Sequence, residues 1–349
     1  MSIDYTSGYS ASWRVFKVDP VSWNTISVLE GVSSISINRD GNDDVPLLET
    51  ASMSIDLPVD AEFETGWYRI ELIGRQNGSY SSEVMGTFLF EANSSEINHG
   101  FKNLTCSGYS TLKPADLRYL TKGDYAPKNV NGAEYAASLL RQCIPAPVNV
   151  IGDGFQLSDY VVFDVGTSYL RAVWDVLDAG KWVIFIDGDG TVNIQAKPTT
   201  PSLNLDYANA ELIEPGVQPS ADRSNVPNRY YAIDGDRVEV AVNDNDSSPV
   251  SYAKRGFYVD YVDSSPTRVN NETLYNYARR RLEEESVVLV QRTYTRDYMP
   301  GVRPFSLVYA NFPQVDLVGD MTVTTQVLNL DHGVSVQETA VLEVKEWTR

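Results

Sequence analysis

The first hundred residues consist of short segments in which apolar and polar side chains alternate, each ending at a polar or glycine-containing turn. Residues 33–37 alternate in this way before the polar stretch 38–44, and a later segment places Met53, Ile55 and Leu57 on one face. A period of two puts alternate side chains on opposite faces of a strand. Strands this short, recurring about every 10–15 residues, are typical of an antiparallel barrel or sandwich. We therefore predict strands at residues 12–18, 33–37, 52–57, 67–73, 84–91 and 102–108, with a polar loop at 38–44.

Two helices are predicted in the next ninety residues. Asn131 followed by Glu134 forms a capping-box pattern, with Asn in place of Ser or Thr, and opens the first helix. A second helix is predicted from the cap Thr167 to Gly180, where a left-handed C-cap is expected. Its apolar residues recur at the i, i+3, i+4, i+7 spacing of a buried helix face. These residues are Leu170, Val173, Trp174 and Leu177.

Residues 187–190, Asp-Gly-Asp-Gly, separate two apolar runs and predict a hairpin with a type I′ turn. The same four residues could suggest a calcium loop. An EF-hand loop, however, has Gly at position 6 and Glu at position 12, whereas here Gly falls at position 4 and Pro198 at position 12. The hairpin interpretation is therefore favoured, and two helices with one hairpin make a small α+β module.

Beyond residue 201 the β pattern returns, interrupted by a third helix at residues 271–285. Its predicted buried face carries Leu274, Tyr277, Ala278 and Leu282. The cluster Arg279, Arg280 and Arg281 precedes Glu283, Glu284 and Glu285, which predicts three i,i+4 ion pairs. The glutamates could also supply the two carboxylates of a glycosidase, but three consecutive helical residues point in different directions.

Length and element order together predict a multi-domain, mainly β chain with α+β insertions. At roughly 150 residues per domain, 349 residues correspond to two or three domains. We predict a β-barrel-like domain at residues 1–110, a small α+β domain at 111–200, and a second β-barrel-like domain at 201–349. The last of these carries a helix-bearing insertion around 248–300.

The charge of the chain argues against nucleic-acid binding. Lys and Arg total 28 and Asp and Glu total 47, which gives a formal net charge of −19 at pH 7. Nucleic-acid binders carry basic surfaces that release counterions from phosphates, so this chain as a whole repels DNA and anionic membranes. We expect no stable membrane insertion, because no run approaches the ~18 apolar residues of a membrane helix. The 21 tyrosines favour β structure, extensive interfaces, or both.

Few residues combine into a catalytic or metal-binding pattern. His99 and His332 are the only histidines and lie in turn-like contexts, while Cys106 and Cys143 are best interpreted as buried thiols. A Cys–His dyad lacks any local support. Residues 243–246, Asn-Asp-Asn-Asp, could gather a cation but lack the Gly and distal Glu of a calcium loop, so a solvated loop is favoured. We expect no catalytic residue, no bound cofactor and no metal site, and therefore no enzyme.

The order of these elements resembles that of the hub proteins of bacteriophage tail tips and baseplates, which are related to the spike-bearing hubs of contractile injection machines. Residues 271–282 resemble a helix of that family, and the strand 287–295 follows it. Residues 315–323 are similar to the family's Leu-x-Val-Gly-Asp-x-Val β element, and residues 114–140 resemble the entry into its second domain.

The resemblance implies a homotrimer in which two β domains per chain share one fold, so that three chains offer six similar barrels to a sixfold tail tube. The implied partners are the tail tube protein, the distal tail protein, the tape-measure protein and tail fibre or spike proteins, with DNA only in passage. The implied location is the virion tail, assembled in the host cytoplasm. The alternative is a carbohydrate-binding or carbohydrate-cleaving β-rich protein, which the Tyr, Trp and acidic residues would serve.

Overall fold

A computed structural model describes residues 8–41, 47–98, 100–206, 212–214, 223–313, 317–330 and 334–345. Strands dominate these residues, so the prediction of a mainly β, multi-domain fold is confirmed. Within the described residues, no helix has both the length and the apolar character needed to cross a bilayer.

The first β unit contains seven strands. They are β1 (Ser10–Val18), β2 (Thr25–Leu29), β3 (Val32–Asp40), β4 (Glu49–Pro58), β5 (Gly66–Gln76), β6 (Ser79–Asn98) and β7 (Phe101–Tyr109). All neighbouring pairs are antiparallel, in the order β3-β4-β7-β6-β5-β1-β2. The alternation of apolar and polar side chains predicts the buried face of β4 correctly, because Met53 and Ile55 are buried. The predicted loop at 38–44 is wrong at its start, because β3 continues to Asp40 and buries Arg39.

An α+β unit follows the first β unit. Its elements are α1 (Lys113–Leu117), β8 (Asp124–Ala126), α2 (Gly132–Arg141), β9 (Val148–Ile151), β10 (Val161–Phe163), α3 (Tyr169–Gly180), β11 (Trp182–Ile186) and β12 (Val192–Ala196). Strand β12 pairs with β11 on one side and with β9 on the other, and α2 and α3 cover this small sheet. The predicted hairpin is therefore present as β11 and β12.

The helix ends of the α+β unit follow side-chain capping. The Asn131 side chain accepts a hydrogen bond from the Glu134 amide at 3.2 Å, which confirms the predicted cap. Helix α3 is capped by Ser168 instead of Thr167, and the left-handed residue at its end is Lys181. Gly180 serves packing instead of left-handed geometry, because a Cβ at this position would lie 2.4 Å from the ring of Phe155.

The remaining residues form a second β unit with an insertion. The elements are β13 (Leu203–Asp206), β14 (Leu212–Glu214), β15 (Arg229–Asp234), β16 (Arg237–Val242), α4 (Tyr252–Arg255), β17 (Asp260–Asp263), α5 (Leu274–Glu285), β18 (Val287–Asp297), β19 (Leu307–Phe312), β20 (Leu317–Asn329) and β21 (Ser335–Lys345). The insertion, β15 to α5, has its own three-stranded sheet and its own core. That core contains all four residues predicted for the buried face of α5.

The second β unit repeats the strand order of the first. Its neighbours run β14-β18-β21-β20-β19-β13, which matches β3-β4-β7-β6-β5-β1 strand for strand and in the same chain order. The pairing β13–β19 is parallel where β1–β5 is antiparallel, and β2 has no counterpart among the described strands. The repeat extends to an irregularity: register shifts lie between Ala92 and Ser94 on β6 and between Val323 and Thr325 on β20. The fold is thus an internal duplication, and no pair of described strands closes either unit into a complete barrel.

Helix α3 buries three of the four residues predicted for its inner face. Leu170, Val173 and Leu177 are fully buried, whereas Trp174 is only partly buried. Val176, on the opposite flank of this stripe, is fully buried instead. Sequence periodicity located the apolar stripe, and the buried face is rotated about the helix axis away from Trp174 and toward Val176.

We expect Trp174→Ala to lower the free energy of unfolding by about 1–2 kcal/mol, below the ~3–5 kcal/mol of a fully buried aromatic residue. The matched Leu177→Ala should cost about 2–5 kcal/mol, because Leu177 is fully enclosed. Urea unfolding of both variants tests this ranking, and a larger loss for Trp174→Ala than for Leu177→Ala would contradict it.

Candidate functional site

The two β units meet edge to edge through β3 and β20. Their antiparallel register pairs Asp40 with Thr325 and continues to Ser36 with Asn329. This pairing makes one continuous sheet of 13 described strands from two repeats. The junction is therefore the place where one repeat recognises the other, and its side chains are the first candidates for a functional role.

A buried ion pair lies next to the junction. Arg296 Nη2 lies 2.6 Å from Glu338 Oε2, and both side chains are fully shielded from solvent. The Tyr294 hydroxyl donates to Glu338 Oε1 at 2.5 Å, and Gln326 Nε2 donates to Oε2 at 2.7 Å. Burial alone would lower the pKa of Arg296, but the Glu338 carboxylate more than offsets burial and raises it. Burial and the same carboxylate raise the pKa of Tyr294 well above its ordinary value. Both oxygens of the Glu338 carboxylate therefore accept hydrogen bonds from protein groups.

Gln326 extends this network across the junction to Arg39. Arg39 Nη1 lies 3.5 Å from Gln326 Oε1, its Nη2 donates to the Met85 carbonyl at 2.6 Å, and its Nε lies 3.1 Å from Glu49 Oε1. Burial lowers the pKa of Arg39 and raises that of Glu49, although the two charges partly offset this. Arg303 reaches the same carboxylate at 3.4 Å.

The network fixes how the two units align. A one-residue slip of β20 against β3 would turn Gln326 to the opposite face and leave buried charges without partners. Buried ion pairs add little net stability, but a missing partner costs several kcal/mol. We therefore interpret the network as a device that specifies register between the repeats.

The turn of the predicted hairpin docks on the first β unit. Thr87 Oγ1 donates to the Gly188 carbonyl at 2.9 Å, and Trp23 Nε1 and Arg69 Nη2 donate to the Asp189 carbonyl at 2.8 and 3.1 Å. A Cβ on Gly188 would lie 1.8 Å from the Val84 carbonyl oxygen. The hairpin tip thus joins the α+β unit to β5 and β6.

The prediction of a type I′ turn at residues 187–190 is wrong, and the contacts of its carboxylates support a structural role for the turn. The Gly190 amide donates to the Asp187 carbonyl at 2.8 Å, and Gly190 alone in the turn has positive φ, which defines a type I turn with a glycine bulge instead of type I′. The carboxylates serve the turn itself: Asp187 accepts from Asn193 at 2.7 Å, and Asp189 accepts from the Thr191 amide at 2.9 Å.

Salt bridges hold the insertion against the α+β unit. Arg268 forms a bidentate pair with Asp159 at 2.7 and 2.9 Å, and Lys181 Nζ lies 2.7 Å from Glu284. Between α3 and α5 a polar cleft of about 310 Å³ opens, with Asp175 and Arg281 among its lining residues. Its lining residues include carboxylates, arginines and tyrosines, and one tyrosine, Tyr277, donates a hydrogen bond to the carboxylate of Asp263.

The Arg and Glu residues of α5 form much of the predicted ladder. Arg280 lies 3.1 Å from Glu284, and Arg281 lies 3.1 Å from Glu285, as the i,i+4 spacing predicts. Arg280 also reaches Glu272 at 2.7 Å. Glu284 and Glu285, two of the three glutamates considered as a carboxylate pair, are therefore engaged in ion pairs on the helix.

Asp263 is held between two tyrosines beside this helix. The Tyr277 hydroxyl donates to Asp263 Oδ2 at 2.5 Å and the Tyr230 hydroxyl donates to the same atom at 3.1 Å. Burial raises the pKa of both tyrosines. Both hydroxyls therefore stay protonated at neutral pH and act as donors that position the carboxylate.

The other candidate residues named from the sequence are the two cysteines, the two histidines and the 243–246 loop. Cys106 is buried in the first β core, and burial raises the pKa of its thiol to about 11; burial also raises that of Cys143, despite the nearby Arg118. His99 and His332 lie outside the described residues. In the 243–246 loop, the Asn243 side chain donates to Ser248 at 2.9 Å and accepts from the Asn245 amide at 3.1 Å. Across the described part of the chain, no group of three His, Cys, Asp or Glu residues has a geometry suited to a metal ion.

Sequence reasoning missed the residues of the junction network. Arg39 lay in a stretch predicted as loop, and Gln326 and Glu338 were unremarked polar positions in the β-patterned region beyond residue 201. A polar residue at an otherwise apolar inward position is the one available signal, as at Glu338 between Val336 and Ala340.

Comparison with known proteins bears on this architecture as a whole. No family model matches the chain, and no curated protein matches it by sequence. Among solved structures, the tail protein of Neisseria meningitidis MC58 superposes with a TM-score of 0.64 at 12% identity, covering 96% of this chain and 97% of that one. The 43 kDa tail protein of prophage MuSo2 from Shewanella oneidensis gives 0.64 at 11% identity, over 97% of this chain and 99% of that one.

A component of the type VI secretion system is similar as well. The Escherichia coli c3393 protein, described as structurally similar to the T4 phage tail proteins gp27 and gp5, gives a TM-score of 0.52 at 10% identity over 92% of this chain and 77% of that one. The chain therefore shares the fold of these two tail proteins, and of this type VI secretion component, over nearly its whole length. The resemblance stated from the sequence is confirmed at the level of the fold.

Proposed function

We propose that this chain is a structural hub of a phage tail tip or baseplate, and that three copies form a ring. The observation that carries the proposal is the duplicated β unit. A trimer of two-unit chains presents six similar units, which is the number needed to match a sixfold tube at one face and threefold components at the other. The likeness of the whole fold to phage tail proteins supports this role.

The proposed location is the virion tail, and the proposed partners are tail components. The phage tail proteins and the type VI secretion component among the similar structures support association of this kind. We propose the tube, distal tail, tape-measure and fibre or spike proteins as neighbours, with DNA passing through the ring. The net charge of −19 supports passage instead of retention, since a basic wall would hold phosphates.

The proposed division into functional domains keeps the ranges 1–110, 111–200 and 201–349. The first and third hold the repeats that would build the ring, and the second would sit on their flank through the 187–190 turn. A non-enzymatic role fits this arrangement, because the acidic residues of α5 and the hairpin are used in ion pairs and turn contacts.

A solution mass measurement tests the proposal. We expect light scattering at micromolar concentration to give three times the chain mass for the chain alone, or a complex that contains three copies when tube protein is added. An obligate interface buries more than about 2,000 Å², which is enough to hold such a trimer together at this concentration. A strict monomer under both conditions would contradict the hub. Clearing of host cell walls, or glycan binding by a monomer, would favour the carbohydrate alternative.

A further inference from the structure

We propose that the outer half of β6, residues 94–97, is the edge by which each copy pairs with the second β unit of the next copy. This inference rests on the proposed trimer and names its contact surface. The two repeats within one chain already show how such units join, and β6 carries the same features with no partner among the described strands.

The junction inside the chain uses β20, which is the counterpart of β6. Pairing of β20 with β3 begins at Thr325, immediately after the register shift that follows Val323. The equivalent shift on β6 follows Ala92, so Ser94 corresponds to Thr325. The stretch of β6 that begins at Ser94 is therefore the counterpart of the stretch that binds β3.

This stretch of β6 presents a free edge in the described structure. It pairs with β7 on one side, from Ser94 opposite Thr105 to Asn98 opposite Phe101. Among the described strands, none pairs with its other side, and residues 91–97 are all exposed. Ile97 is 65% exposed. A long exposed strand edge with an apolar residue is a template for pairing with another chain.

The backbone groups on this edge are oriented for such pairing. In the internal junction, the Thr324 carbonyl accepts from Gly41 and the Leu330 amide donates to Ile35, so the even-numbered residues of β20 face β3. By the strand correspondence, Ser95 and Ile97 replace Gln326 and Leu328. Their amides and carbonyls therefore point away from β7 and toward the proposed neighbour.

The occupant is the outer edge of the second β unit of another copy, where β14 pairs with β18. Strand β14 takes the place of β3 in the repeat, and the described strands show it paired with β18 alone. Pairing of β6 with that edge would repeat the internal junction between chains. Such a head-to-tail contact is heterologous, and it closes into a ring when the rotation per unit allows it.

Two substitutions test this surface against a matched control. Ile97→Lys places a charge on the proposed edge, and Ser95→Pro removes an amide that faces it while leaving the bonds to β7. Ile26→Lys makes the same apolar-to-Lys change on β2, the other exposed edge of this unit, where Ile26 is 58% exposed. Circular dichroism confirms that each variant is folded, and light scattering over a dilution series gives the dissociation concentration.

We expect Ile97→Lys and Ser95→Pro to raise the dissociation concentration of the trimer at least about tenfold, and Ile26→Lys to leave it unchanged. A trimer that both β6 variants leave unaffected, or that Ile26→Lys weakens as much as they do, would overturn the inference while leaving the hub proposal intact. A wild-type chain that never assembles would instead overturn the proposed function, and the inference with it.

Discussion

Replacing Glu338 with alanine should lower the free energy of unfolding by about 3–5 kcal/mol. Arg296 is fully buried 2.6 Å from this carboxylate, so the variant leaves a guanidinium in the protein interior with no opposing charge. Tyr294 and Gln326 lose their acceptor at the same time. The cost comes mainly from these orphaned groups, since the intact pair itself gains little over its desolvation penalty.

Urea unfolding followed by circular dichroism measures this effect, with Glu64→Ala as the control. Glu64 pairs with Lys17, but its side chain is 74% exposed, and exposed pairs contribute about 0–1 kcal/mol. The double variant Arg296→Met, Glu338→Leu should recover part of the loss, because it removes the unpaired guanidinium. Tyr294 and Gln326 remain without their acceptor in it. A loss below about 1 kcal/mol for Glu338→Ala would contradict the prediction that its buried partners depend on this carboxylate.

Local patterns in the sequence located most elements because local physics decides them. Alternation at Met53 and Ile55 fixed a strand face, and the side chain of Asn131 fixed the start of a helix. The face of α5 was fully predictable, since an exposed amphipathic helix has one way to bury its apolar stripe. These features depend on neighbours within a few residues.

Contacts between distant residues could not be predicted in the same way. Arg39 belongs to a polar stretch, and only pairing with β20, nearly three hundred residues later, makes it a buried strand residue. The duplication could not be predicted for the same reason. It is a repeat of strand order in the two sheets, and the sequences of the two units show no visible period. The candidate interface on β6 follows from that pairing alone, so no motif could have marked it.

The contacts between the units contribute both stability and alignment. The contacts between units combine apolar packing with polar bonds. Leu328 of β20 packs into the core of the first β unit opposite Ile37, and Phe305 packs into the core of the α+β unit. Ion pairs and carbonyls that accept hydrogen bonds from a neighbouring unit lie beside this packing. Apolar contacts tolerate sliding, whereas hydrogen bonds between fixed partners do not. Hydrogen bonds between fixed partners therefore set the alignment of the two repeats within the chain.

Replacing Gly188 with alanine should separate the α+β unit from the first β unit at a cost of at least about 3 kcal/mol. The new Cβ would lie 1.8 Å from the carbonyl oxygen and 2.6 Å from the carbonyl carbon of Val84. Both atoms belong to the backbone of β6, so no side-chain rotation can relieve the overlap. The hairpin tip must retreat, and the hydrogen bonds from Thr87, Trp23 and Arg69 are then lost together.

Gly123→Ala provides the matched control within the same unit. Its Cβ would meet only the Phe163 carbonyl oxygen, at the ordinary contact distance of 3.8 Å, and should therefore change stability by less than about 0.5 kcal/mol. Calorimetry should show one cooperative transition for the wild type and for Gly123→Ala, and an earlier, separate transition of the α+β unit for Gly188→Ala. If both glycine variants unfold alike, the 187–190 turn is an ordinary surface hairpin. A separated transition would instead establish the turn as the joint that fixes the α+β unit on the first β unit, because the variant changes no residue of either core.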